Sequence, residues 1–320
     1  MKLGGDLKNL GVLLGIVASN GTYACLWCNL KTPVVIANRY KIERTQAQAL
    51  RKSATKELGY FNKPIFKFIE FKDVAIDMLH LHLRITDKLL SCLIDKIIVS
   101  DENDGIDSDE RFALKKFESF LIVNCNITNP FVYDKEGIIK IRLRTLDAKE
   151  RVIIFEKLFE DGKQGFIDIF ANYNILEEHD FRVENFVWNE FRKIYNQIKA
   201  LDKCEFSIES FDMVGLKENL SKWLYFYKKI DNMENTSPYV HAFVFHMPEF
   251  LERHGSINLY NCQGLEKLND ISTKLYHSST NKNKTDKSFL VQLIKKMNRM
   301  EFFNVGQNYD DLFQFMQNLF

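Results

Sequence analysis

The chain has 320 residues, 46% of them hydrophobic and 27 of them Phe, so it can fill one large domain or two smaller ones, and a floppy polar scaffold is excluded. A formal net charge of +1 excludes a global field for nucleic acid; any such surface has to be a local patch. The longest apolar runs break within about a dozen residues, short of a membrane span, and Gly4, Gly5 and Asp6 interrupt the apolar stretch that a secretory signal needs after Met1 and Lys2.

In chain order, Leu7, Leu10, Leu14 and Val17 repeat at helical spacing, with Asp6 placed as an N-cap after a Gly-Gly turn. The segment TYACLWCNL follows, and then Thr32-Pro33. Residues 41–58, rich in Arg, Gln, Lys and Ala, predict a helix that Asn62-Lys63-Pro64 breaks. IFKFIEF (65–71) alternates apolar and charged residues as a strand or extended segment does. From Asp77 to Ile98 the apolar positions are helical, and DENDGIDSDE (101–110) is a solvated acidic loop. Residues 111–200 are mostly helical patterns, punctuated at Thr128-Asn129-Pro130 and Asp161-Gly162. A helix over about 212–230 carries Trp223, Asn235-Thr236-Ser237-Pro238 ends it, and YVHAFVFHMPEFLERHGSI is helical up to its His-Gly break. Two last helical patterns flank the Lys-rich loop SSTNKNKTDKS. The composition is that of a mostly α chain with few strands.

Of six cysteines, Cys92, Cys125, Cys204 and Cys262 lie in apolar or mixed surroundings and read as core thiols. That usage suits a reducing compartment, cytosol or nucleus, where a close Cys pair is more often a metal site than a disulfide. Cys25 and Cys28 form such a pair and offer half of a tetrahedral site. His241 and His246 in HAFVFH offer another half, although a separation of five places two rings on one α-helical face less well than four. Together they make a Cys2His2 set suited to structural zinc. Each half also has a plain reading, an incidental pair and a core-packed pair, and the long gap between the halves does not unite them by spacing. Among carboxylates, Asp6 is a candidate ligand for Mg2+ or Mn2+ or simply a helix cap. Glu266 in QGLEKLND is a candidate of the same kind or a solvated residue. His80 and His82 in IDMLHLHLR sit on a helical pattern, which favours structural roles. Lysines 267, 274, 282, 284, 287, 295 and 296 are either a phosphate-binding patch or ordinary surface.

Taken in order, Gly-x-Asp6 with Lys8, Cys25-x2-Cys28, Lys63-Pro64, Asp77-x-Leu79-His80, His241-x4-His246, Pro248-Glu249, Glu252-Arg253 with Gly255-Ser256-Ile257, and Gly264-x-Glu266 resemble the catalytic core of the V(D)J recombinase large subunit and its relatives, the Transib DNA transposases. Weaker echoes occur at Asn126 to Pro130 and at Leu143 to Thr145. The 19-residue interval from Asp6 to Cys25 and the 20-residue interval from His246 to Glu266 agree with the family pattern. The resemblance spans nearly the whole chain.

The resemblance implies an α/β, mostly α fold: a partial RNase H-like core (residues 1–80), a large helical insertion (81–235), and a last segment (236–320) bearing the His half of a zinc site and the final catalytic helix. It implies Asp6 and Glu266 as the second and third acidic residues of a DDE triad binding Mg2+ or Mn2+. His80 would lie near the scissile phosphate. Cys25, Cys28, His241 and His246 would be structural zinc ligands tying the insertion back to the core. The family chemistry is strand cleavage by water followed by attack of the freed 3′-hydroxyl, helped by two divalent ions. DNA, as transposon ends or target, is the implied partner; a homodimer is allowed, no membrane is expected, and the compartment is the nucleus. The pattern also departs from the family. The first catalytic Asp should precede Asp6 on an early strand, Gln263 stands where an acid is expected, and STKLYHSST replaces an Arg-rich run. These departures predict a copy that lacks the first strands of the core and is catalytically incomplete, whether a truncated gene, a decayed transposon or a domesticated fragment. The rival expectations are a zinc-stabilised DNA- or protein-binding module without catalysis, and an unrelated helical protein whose Cys and His residues are core.

Overall fold

In this computed structural model the described residues are 3–17, 21–31, 42–103, 112–134, 140–158, 178–201, 211–231 and 237–257, with Tyr260 and five isolated positions after it. The chain divides into two compact units, Met1–Asn261 and Cys262–Phe320, and the account that follows concerns the first. The expected boundaries at 80/81 and 235/236 fall inside that unit.

The unit is an α/β assembly dominated by helices. Strand β1 (Leu3–Gly5) leads into helix α1 (Leu7–Leu14), and β2 (Val74–Ile76) pairs with β1 in parallel, with Leu3 opposite Val74 and Gly5 opposite Ile76. Gly4 and Gly5 are therefore strand residues, not the turn expected from their sequence. A Cβ on Gly4 would stand 2.5 Å from the Cβ of Tyr260, so the backbone there admits no side chain without displacement. A parallel pair needs a long crossover. Here residues 6–73 supply it, and they carry the Cys25–Cys28 knuckle and helix α2 (Gln46–Lys52). That helix is shorter than the 41–58 pattern predicts. Thr45 and Gln48 close a capping box at its start, and beyond it Lys56 and Leu58 adopt left-handed backbone (φ 55 and φ 53), which no α-helix continues through. IFKFIEF does not form a strand. It folds as a turn closed by Ile69 N–H on the Phe66 carbonyl and a 3-10 stretch, Phe71–Asp73, burying Ile69 and Phe71 while Ile65 and Phe68 stay exposed.

Helix α3 (Met78–Asn103) is the backbone of the unit, packed against α4 (Phe112–Val123), α5 (Ala148–Lys157) and α6 (Glu178–Ala200). Between α4 and α5 lies an antiparallel hairpin of β3 (Phe131–Asp134) and β4 (Lys140–Leu143), where a mostly helical block was expected. Asn126 and Asn129 take left-handed backbone just before it, ending the helical pattern at the Thr128-Asn129-Pro130 break. Helix α7 (Met213–Asp231) packs along α6. The last helix, α8, starts on a Ser237 N-cap with Pro238 in its first turn. It runs as Pro238–His241, a π-helical stretch Ala242–His246, and Met247–His254. Trp188, Phe191, Trp223, Tyr227 and Phe243 are fully buried where α6, α7 and α8 meet, and the Trp223 indole N–H donates to the Val187 carbonyl at 3.0 Å. Phe191 and Phe243 join two tryptophans and a tyrosine in this interior. Among the described residues no helix is long and apolar enough to cross a membrane.

Candidate metal centre

The Cys25-Leu26-Trp27-Cys28 knuckle is held by short-range pairing and by a buried arginine. Asn29 N–H donates to the Ile42 carbonyl at 3.0 Å and Arg44 N–H to the Trp27 carbonyl at 2.9 Å, so residues 27–29 and 42–44 form a short antiparallel clasp. The Arg44 guanidinium spans the back of the knuckle, donating to the carbonyls of Cys25 (2.9 Å), Leu58 (2.9 Å) and Tyr23 (3.1 Å). Trp27 drives inward: its indole N–H donates to the Val74 carbonyl of β2 at 2.7 Å and its ring packs edge-on to Phe250 at 4.8 Å. The knuckle is thereby fixed to the parallel strand pair on one side and to α8 on the other.

The two histidines come from α8, and the local helix type explains their spacing. In an α-helix, residues five apart diverge by more than a residue's turn. The π-helical stretch, with its i→i+5 bonding (Met247 N–H to the Ala242 carbonyl), widens the turn so that His241 and His246 face the same way. Their Nε2 atoms lie 3.2 Å apart. Cys25 Sγ is 3.3 Å from His246 Nε2, and Cys28 Sγ is 3.4 Å from His241 Nε2. All four ligand atoms fall within 4.8 Å of one another, and all four residues are buried. Tetrahedral zinc with Zn–S of about 2.3 Å and Zn–N of about 2.05 Å requires S···N separations of about 3.5 Å and N···N of about 3.3 Å. The three separations given above lie just inside those values, with two soft sulfurs and two imidazoles around one centre. The four side chains expected to share a metal thus converge, and the donor set is that of a structural zinc site with no open position.

The charges agree. Burial pushes the Cys25 thiol up, reinforced by Cys28, while hydrogen bonding from Cys25, His241 and His246 pulls the Cys28 thiol down despite burial. A bound cation is what would release the protons of both thiols. His246 is oriented from behind: its Nδ1 lies 2.8 Å from Glu249 Oε2, leaving Nε2 for the metal. Glu249 and Arg44 are functional residues that sequence reasoning missed. Glu249 had a signal, since it stands three residues after His246 on a helix. Arg44 had none, because its targets are backbone carbonyls.

The carboxylates are arranged differently. Asp6 follows the last residue of β1 and Asp77 the last residue of β2, so both stand at the same end of the parallel pair, where Asp77 N–H donates to the Gly5 carbonyl at 3.1 Å. Asp6 has extended backbone at the start of α1, but its side chain makes no capping hydrogen bond; Oδ1 instead accepts from the Tyr239 hydroxyl. Burial and the Asp6 carboxylate push the Tyr239 phenol up, and the Arg84 guanidinium pulls the other way. Asp77 is fully buried, accepts from Leu79 N–H at 3.1 Å, and binds His80 Nδ1 through its other oxygen. His82, two positions on, faces the opposite side of α3 and is a core residue. Its ring packs 4.5 Å from Phe155 and from Tyr195, and burial, helped by Lys199, lowers its pKa to about 4. Among the described residues, Asp6, Asp77 and His80 do not gather into a shared ligand group as the Cys and His residues do. Glu266, Cys204, Cys262 and nearly all the lysines of the segment after Glu266 lie outside the described residues; Cys92 and Cys125 are buried, as core thiols should be.

No family model matches the chain, and no curated protein matches it.

Proposed function

We propose that this chain is a DDE transposase- or recombinase-like protein of the Transib and V(D)J recombinase type, with a zinc staple joining an RNase H-like core to the end of a helical insertion. The observation that carries the reading is the convergence of Cys25, Cys28, His241 and His246, because that ligand set follows from the family pattern and from no local spacing rule. Two further placements are consistent with it. Asp6 ends a strand of a parallel pair, and His80 sits in the first turn of the helix after its neighbour, held by Asp77. Under this reading the protein works on DNA in the nucleus, at transposon ends or target and in company with a second copy. Asp6 and Glu266 are two of the three carboxylates that would hold Mg2+ or Mn2+.

Strand nicking in Mn2+ tests the catalytic part, with the chain extended by the genomic sequence upstream of Met1. Nicking that disappears in both Asp6→Asn and Glu266→Ala supports it; nicking that is absent, or indifferent to both substitutions, overturns it.

A second reading is a zinc-stabilised DNA- or protein-binding module without catalysis. It is favoured by the contrast between a complete Cys2His2 group and carboxylates that do not gather among the described residues. DNA binding that survives Glu266→Ala, without cleavage in any metal, would select it.

A further inference from the structure

One cavity of the first unit lies away from the metal centre, where α3, β4 and α5 meet. It encloses about 430 Å³, and four arginines line it: Arg84 from α3, Arg142 and Arg144 from β4 and the residue after it, and Arg151 from α5. Among the described residues Asp87 and Asp95 are the acids in the lining, and Glu150 holds the Arg144 guanidinium from beside it, so the four arginines exceed the acids there. Asp87 acts as a hub, with Oδ1 2.5 Å from Arg151 Nε and Oδ2 3.7 Å from Arg84 NH1. One carboxylate pins two guanidiniums by one edge each and draws them to the same place. Glu150 fixes Arg144 in a two-point grip, 2.5 and 3.0 Å, and also closes the capping box of α5 with Asp147. The arginines are pre-organised, and the helix that carries Arg151 is anchored by the same carboxylate.

Arg142 and Arg144 are two apart on an extended ladder that Arg144 N–H continues onto the Pro130 carbonyl at 2.8 Å. They share a face at a spacing of about 6.6 Å, close to the step between successive phosphates of one nucleic-acid strand. Arg84 continues the row toward Asp6 through Tyr239, which it shares with that carboxylate.

We propose that this groove is a phosphate track that holds one strand of a nucleic acid on its way to the Asp6 end of the strand pair. Arg142 takes one phosphate; Arg144, whose guanidinium also donates to the Thr128 and Thr145 carbonyls, lends its charge and its remaining N–H to the next, and Arg84 and Arg151 face the one after. The choice of a nucleic acid rests on the recombinase reading; the anion site itself stands on the four arginines. Guanidinium forks match phosphate oxygens in pairs, and each neutralised phosphate releases counterion, so binding is salt-dependent.

The test is anisotropy of a labelled DNA duplex with the zinc-loaded full chain, across about 50 to 200 mM salt. Arg142→Ala is expected to weaken binding about 3- to 10-fold and to lower the slope of log K against log salt by about one. Ser91 lines the groove on the exposed face of α3, one helical turn beyond Asp87 and itself in none of the ion pairs described. Ser91→Glu is expected to weaken binding and Ser91→Arg to tighten it by a similar factor, and neither removes a native contact, so folding is not at stake. No binding by the unaltered chain at the low-salt end overturns the inference, as does unchanged affinity in Arg142→Ala and both Ser91 variants. Displacement by polyglutamate as readily as by unlabelled DNA would make the groove an acidic-peptide site. Displacement by inorganic phosphate at matched phosphate concentration would make it a free-phosphate site. Either result also overturns it. The recombinase reading fails separately. Groove variants that lose DNA while nicking never depends on Glu266 leave the track standing and remove the chemistry.

Discussion

Glu249 is the most informative single residue to change, because its carboxylate touches the proposed zinc site only through His246. Its Oε2 lies 2.8 Å from His246 Nδ1, and the imidazole is 1% exposed, so the hydrogen bond is made in a medium where water does not compete. The carboxylate does two things. It fixes the tautomer that presents Nε2 to the metal, and it places a negative charge behind the ring, making Nε2 a better donor. Glu249→Gln keeps an acceptor oxygen and removes the charge. Glu249→Ala removes both. Losing a carboxylate that orients a ligating imidazole costs about 10- to 100-fold in metal affinity, or about 1.4 to 2.7 kcal/mol. The Gln variant is placed at the lower end and the Ala variant at the upper end. The assay is competition for zinc against a chromophoric chelator at pH 7, with the far-ultraviolet spectrum of the loaded protein as the folding control. Zinc affinity within twofold of the original in Glu249→Ala would refute the claim that His246 is a ligand oriented from this side.

Three further outcomes follow from buried charge. His82 is neutral in the fold with its pKa lowered to about 4 from 6.5, chiefly by burial, so the unfolded chain binds its proton first as pH falls. Stability is therefore lost from pH 6.5 down to about 4, by about 3 kcal/mol, and His82→Phe, matched to the rings of Phe155 and Phe191, should lose that much less in urea titrations across the same window. Glu184, fully buried 3.1 Å from Lys96 Nζ, has its pKa raised to about 6 from 4.5 by burial. Its charged form burdens the fold, and stability falls as pH rises from 4.5 to 6; Glu184→Gln should gain about 2 kcal/mol on the parent across that interval and hold the gain above it. Arg44→Ala strands three carbonyls behind the knuckle. It should destabilise the fold by about 3 kcal/mol or more and lower zinc retention during dialysis.

The helices were legible in the sequence where apolar periodicity ran unbroken: Leu79 to Ile97 became α3, and the pattern around Trp223 became α7. Segments whose outcome was set by long-range partners were not. IFKFIEF alternates like a strand, yet it buries Ile69 and Phe71 through a turn and a 3-10 stretch, an outcome that its local alternation does not reveal. The β3–β4 hairpin was hidden because Phe131, Leu143 and their neighbours give too short an apolar run to separate from helix by period. The metal centre was legible as residues and not as geometry. The spacing of His241 and His246 suits one α-helical face less well than a separation of four, and the π-helical stretch between them brings the rings together. Asp6 was legible as a helix start, while its bond to Tyr239, 233 positions away, was not.

The central claim is that one metal staples the knuckle to α8, and metal analysis of the purified chain tests it most directly. The account predicts one zinc per chain, an absorption spectrum at the zinc edge that fits two sulfur and two nitrogen ligands at about 2.3 and 2.05 Å, and loss of that zinc in Cys25→Ser and in His241→Ala. A chain that purifies folded without stoichiometric zinc, or that keeps its zinc in both variants, would contradict it.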